Sequence, residues 1–132
     1  MKKVIGIATL IMAMNANATV SVLGSIEPTN DCKLNHKCEI HGMHYINIIN
    51  NTDSPQHYKY VYMLQVKTSP ESTDYKMGEV TVEPHKAWTN SCRTGINPFF
   101  MYYGLWDIRV ETQVVGYENA ISDINFKVNV NK

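Results

Sequence analysis

Three stretches of this chain alternate apolar and polar residues with period two, and that period constrains the fold more than any other feature. In "INFKVNVNK" (124–132), Ile124, Phe126, Val128 and Val130 share one parity, and Asn125, Lys127, Asn129 and Asn131 the other. In "GLWDIRVETQVVG" (104–116), Trp106, Ile108, Val110 and Thr112 alternate with Asp107, Arg109 and Glu111. In "YKYVYMLQVKT" (58–68), Tyr58, Tyr60, Tyr62, Leu64 and Val66 share a face opposite Lys59, Gln65 and Lys67, with Val61 and Met63. Successive strand side chains point to opposite faces, so these are half-buried strands. "TVSVLGSI" (19–26), "MHYINII" (43–49) and "GEVTVEP" (78–84) read as shorter strands, and nothing after residue 18 carries a 3.6-residue stripe. The clusters "EPTND", "NNTDSP", "TSPESTD", "EPHK", "GINP" and "GYEN" supply turns between them.

The first 18 residues, "MKKVIGIATLIMAMNANA", follow a different rule. Lys2 and Lys3 make a basic start, Val4 to Met14 is a short apolar run, and Ala16-Asn17-Ala18 is a small-x-small cleavage pattern. This predicts a bacterial secretory signal peptide, too short to span a bilayer. Removal leaves one domain over 19–132, with no membrane span and a location in the periplasm or outside the cell. Processing takes two lysines from 12 basic residues and nothing from 12 acidic ones, leaving a slight acidic excess. No basic patch with interleaved aromatics points to nucleic acid.

Six to eight short strands in about 110 residues predict an all-β fold, a two-sheet antiparallel sandwich. Gly104, then Trp106, then strict alternation resembles the penultimate strand of bacterial immunoglobulin-like β-sandwich domains. The resemblance covers that strand and the strand count; it implies an immunoglobulin-like sandwich. The alternation around Trp106 predicts that this side chain lies in the core between the sheets.

Export makes disulfides available to a domain of this size. Cys32, Cys38 and Cys92 allow one intramolecular bridge. The turn-like "KLNHK" between the first two favours Cys32–Cys38, a short loop worth roughly 2 kcal/mol; Cys92 is then free.

"NHKCEIHGMH" (35–44) concentrates potential metal ligands: His36, Cys38, His41, Met43 and His44. Zinc takes Cys and His, and copper(I) takes Cys and Met. On a continuous strand His41 and His44 have opposite parity, so a cluster needs a bend, which Gly42 could provide as a bulge. The alternative is an ordinary strand with both histidines outward and Tyr45, Ile46, Ile48 and Ile49 supplying core. A small periplasmic metal protein built on His36, His41 and His44 is therefore the second functional reading.

No nucleophile elbow, glycine-rich phosphate loop or His-Glu-x-x-His motif is present, and no cofactor is implied. Asp107 and Glu111 flank Arg109 on an outward strand face, and Cys92 with His85 forms no recognisable motif. The irregular, apolar "NSCRTGINPFFMYYG" (90–104) reads as a crossover loop that either covers the core or displays aromatics. Phe99, Phe100 and Tyr102, with Tyr58, Tyr60 and Tyr62, are the candidate contacts for a protein partner; packing inside the sandwich is the competing reading for the tyrosines. The expectation is a non-enzymatic, exported protein-binding or accessory module. A weaker third reading is a pilin-like subunit exchanging its alternating segment "TVSVLGSI".

Overall fold

In the computed structural model the described residues are 8–27, 32–67 and 69–132. The first seven residues of the expected leader, and 28–31 in the "EPTND" turn, lie outside them. The described residues form nine strands: β1 (Ala8–Met14), β2 (Ala18–Ile26), β3 (Cys32–Lys33), β4 (Ile40–Asn50), β5 (Gln56–Val66), β6 (Ser69–Val82), β7 (Ala87–Ile96), β8 (Gly104–Val114) and β9 (Ile121–Asn131). One sheet has the order β1-β2-β4-β7 and the other β3-β9-β8-β5-β6. The fold is an all-β, two-sheet sandwich, antiparallel except where short β3 runs parallel to β9.

The alternation is realised strand by strand. Ile108, Val110, Thr112 and Val114 of β8 face inward, while Asp107, Arg109, Glu111 and Gln113 face outward. β9 presents Ser122, Val128 and Val130 inward in the same way. Gly116 takes φ +90° in the turn joining them, a conformation L side chains rarely adopt.

Two expectations change. Residues 87–96 are a strand, not the start of a crossover loop, and the irregular segment shrinks to 97–103. In β7 every second residue does point inward, but these include Asn90, Cys92 and Thr94, so no apolar period announces it. Trp106 is half-buried at one end of the sandwich, packed on the core edge, because β8 has only just entered the sheet there.

Inward residues form two apolar clusters, one at each end. One holds Ile26, Ile40, Leu64, Phe100, Ile108 and the Cys32–Cys38 bridge; the other holds Val20, Val22, Ile46, Ile48, Tyr58 and Tyr62. Along β2, β4, β7 and β8 the positions between the clusters are Gly24, His44, Thr94 and Thr112, a polar layer across the middle. A Cβ at Gly24 would lie 2.9 Å from Val110 Cγ1, so the sheets approach closely there.

Candidate functional site

The segment 97–103 joins β7 to β8 across the end of the sandwich that holds the disulfide. Phe100 is its anchor: the ring is fully buried and meets Trp106 edge-on at 4.9 Å. The Trp106 indole N–H donates to the Tyr102 carbonyl at 3.0 Å. The turn closed by Cys32 and Cys38, whose Cα atoms are 5.5 Å apart, lies alongside. From it Cys38 N–H donates to the Pro98 carbonyl at 3.0 Å and Asn35 N–H to the Phe100 carbonyl at 2.8 Å. Asn35 holds φ 60°, a left-handed turn conformation that asparagine tolerates well. The bridge therefore braces the loop as well as closing its own turn.

On this anchored frame Phe99, Met101, Tyr102, Tyr103 and Leu105 project outward, each between 52 and 71% exposed. Phe99, Met101 and Tyr102 border a pocket of about 340 Å³ reaching to Val66, Pro98 and Trp106, and Tyr103 and Leu105 border a second depression beside Tyr102 and Trp106. Lys132 Nζ lies over the Tyr103 ring, 4.5 Å from its centroid. Isolated exposed apolar residues are ordinary; five large ones together around a concavity form the kind of patch that marks a contact surface.

The other candidates separate by burial. Phe99 and Tyr102 are on this surface. Phe100, Tyr58 and Tyr62 are not: their rings fill the core, so they cannot touch a partner. Tyr60 is half-buried at the opposite end, between the sheets, 5.2 Å from the Trp88 ring and directly over Gly78, where an added Cβ would lie 2.2 Å from its hydroxyl. Burial, then the neighbouring Tyr117, pushes the Tyr58 hydroxyl up to about 12. Burial, then a hydrogen bond with Cys92, pushes the Tyr62 hydroxyl up. These are core tyrosines.

The histidine-rich stretch divides at Cys38. Before it lies the bridged turn, with His36 exposed. After it, β4 pairs with β2 and β7 in unbroken register, so Gly42 makes no bulge. His41 points outward, 3.7 Å from Glu39. His44 does not point outward as expected. It shares parity with Ile40, Ile46 and Ile48 and is buried, with Nδ1 2.7 Å from Thr112 Oγ1 and Nε2 3.2 Å from Thr94 Oγ1. Its ring stacks on Tyr62 at 4.7 Å. Desolvation lowers its pKa to about 4, against a smaller opposing pull from Asp74. His36, His41 and His44 thus do not converge, Cys38 is oxidised, and among the described residues no three His, Cys, Asp or Glu side chains are grouped to hold a metal.

Asp107 and Glu111 lie on the outer face of β8 in a charge ladder. Arg109 donates to Glu111 at 2.8 Å and to both carboxylate oxygens of Asp123 at 3.0 and 2.9 Å, and Lys127 pairs with Asp107. His85 in the β6–β7 turn contacts Asp53 of the β4–β5 loop at 2.7 Å, while Cys92 sits on β7 with Sγ toward the Arg93 carbonyl, so each has a different neighbour.

No helix among the described residues is long and apolar enough to cross a membrane. No protein-family model matches the chain, and no curated protein matches it. Among solved structures it is similar to the X-ray structure of Northeast Structural Genomics Consortium target SoR45, with 12% identity over 89% of this chain and 90% of that one and a TM-score of 0.42.

Proposed function

We propose that this protein is an exported, non-enzymatic protein-binding module of the bacterial envelope or medium, with an immunoglobulin-like sandwich as scaffold and the loop 97–103 as its contact surface. The observation that carries the reading is the contrast within one loop. Phe100 and the Tyr102 carbonyl are tied down, while Phe99, Met101, Tyr102 and Tyr103 face solvent. A pre-ordered aromatic surface loses little conformational freedom on binding, and aromatic anchors commonly dominate interface energy. Export rests on the leader pattern of residues 1–18. The sheet orders β2-β4-β7 and β3-β9-β8-β5-β6 favour the immunoglobulin-like connectivity.

The test is capture from the native envelope or medium on immobilised processed protein, compared with the double variant Phe99→Ser, Tyr102→Ser. Both positions are exposed, so the variant should melt like the parent and lose a hot-spot contribution, weakening binding about tenfold or more. Equal capture by the variant would move the surface elsewhere. Turnover of any substrate that Cys92→Ala or His85→Ala removes would replace binding with catalysis.

A further inference from the structure

Strand β1 occupies the outer edge of β2 in antiparallel register, from Ala8 opposite Ser25 to Met14 opposite Thr19. Asn15 N–H donates to the Ala18 carbonyl, whereas Glu27 N–H donates to His41 on the β4 side. Even-numbered residues of β2 therefore direct their backbone groups to the outer edge, where the Gly24 N–H also donates to Ser122 Oγ at 3.1 Å, and odd-numbered ones to β4. Ile11 and Ala13 close over the apolar cluster containing Val20 and Val22.

The position suits a strand, but these residues do not suit a permanent one. The outward side chains of β1 are Leu10, Met12 and Met14, 53, 54 and 70% exposed. They also belong to the stretch read above as a leader. Once it is cleaved, Val20 and Val22 lose their edge partners and the cluster its cover.

An edge strand normally carries charge, proline or a bulge that prevents pairing with another chain. The sandwich has such devices at other edges: β6 contains Pro70, Asp74, Lys76 and Glu79, and β7 carries Arg93 paired with Glu27. The segment "TVSVLGSI" has no charge and no proline. It does have the pattern that β1 lacks, with Val20, Val22, Gly24 and Ile26 inward and Thr19, Ser21, Leu23 and Ser25 on the other face. That makes it a suitable partner for itself. Antiparallel pairing about Val22 sets Val20 opposite Gly24, Ser21 opposite Leu23 and Thr19 opposite Ser25 of the second copy. Even residues meet even ones, so the outward-directed amides and carbonyls match and both apolar faces stay on the core side.

We propose that processing releases the β2 edge and that two copies of the processed chain join there, β2 to β2, as one continuous sheet. The leader strand is the placeholder that blocks this pairing before export. The inference rests on the export reading, and the experiment separates the two.

The full chain is expressed with its leader in a bacterial host, and the product is recovered from the periplasm. Mass spectrometry reads the N-terminus, and light scattering after size exclusion reads the mass in solution. The expected result is a chain starting at Thr19 with twice the monomer mass. Ser21→Lys with Leu23→Lys sets like charges opposite one another twice in the pair and should raise the dissociation constant about tenfold or more. Both side chains sit on the face away from the core, but Ser21 is only 7% exposed with β1 in place, so a cooperative thermal melt at monomeric concentrations is the control that the variant still folds. Leu23→Lys alone, at a half-buried position, should weaken the pair in the same direction. An intact residue 1 overturns the export reading and, with it, the release. A processed chain that stays monomeric, whether alone or paired with a different protein at this edge, overturns self-pairing alone. So does a dimer that the double variant leaves unchanged.

Discussion

His44 shows how one buried polar side chain is kept in a β-sandwich. A neutral imidazole has one N–H and one lone pair, and a threonine hydroxyl can donate or accept, so Thr112 and Thr94 satisfy either tautomer. No buried side-chain nitrogen or oxygen among the described residues lacks a partner. Asn50, fully buried at the end of β4, is equally complete: its amide donates to the Ser54 and Val82 carbonyls, and its carbonyl accepts from Thr52. Charging His44 is another matter, because burial opposes it. Its folded pKa is about 4 against an unfolded value of 6.5, so between those limits the unfolded chain binds more protons than the native one. Stability should thus be unaffected by His44 above pH 6.5, fall as pH drops toward 4, and level off below. The loss amounts to about 3 kcal/mol. Urea titrations at pH 7.5, 5.5 and 4.5 would read this slope, which should largely vanish in His44→Asn. A slope that survives the substitution would assign it to other groups. Parity with Ile46 and Ile48 was the signal that placed His44 inside; the apolar Tyr45 and Ile49 on the opposite parity obscured it.

At the scale of elements, legibility followed the strength of the alternation. β5, β8 and β9 were readable because each buries an apolar row against a polar one, and the Cys32–Cys38 bridge because six residues leave the cysteines near each other in any conformation. β7 was not readable, since its inward positions include Asn90, Cys92 and Thr94, polar groups facing a polar layer. Tyr58 and Tyr62 were ambiguous for a different reason: tyrosine suits both cores and interfaces, and only the second sheet, brought over them by long-range pairing, decides. The role of the disulfide turn in bracing the aromatic loop was likewise invisible, because Asn35 and Phe100 are distant in sequence. Replacing both cysteines, Cys32→Ser with Cys38→Ser, should cost roughly 2 kcal/mol by relaxing the unfolded chain. It should also loosen 97–103. Amide exchange at Cys38 and Asn35, which donate into that loop, would accelerate more than exchange in β4 or β9. Uniform acceleration over all strands would mean that the bridge acts on the unfolded state only.

For the whole molecule, the consequence is a rigid box that carries its aromatic surface on one end. Phe99, Phe100, Tyr102 and Trp106 lie within eight residues, yet the sandwich assigns them opposite duties: Phe100 is 1% exposed and Tyr102 71%. Phe100→Ala empties a ring-sized volume between Ile96, Val66 and Trp106 and should destabilise the fold by about 3–5 kcal/mol. In a domain of this size that lowers the melting temperature by about 10 °C or more. Tyr102→Ala removes a ring that contacts mainly water, while the backbone carbonyl that holds Trp106 remains, so stability should change by less than about 0.5 kcal/mol. Thermal denaturation of the two variants, followed by the fluorescence of Trp88 and Trp106 together, makes the comparison direct. The partner assay should show the reverse ranking when each is tested below its own melting temperature: Tyr102→Ala weakened, Phe100→Ala affected only as far as the loop shifts. Equal destabilisation by both would mean that Tyr102 packs against the sandwich, and the end patch would then be core cover rather than a surface that holds a partner.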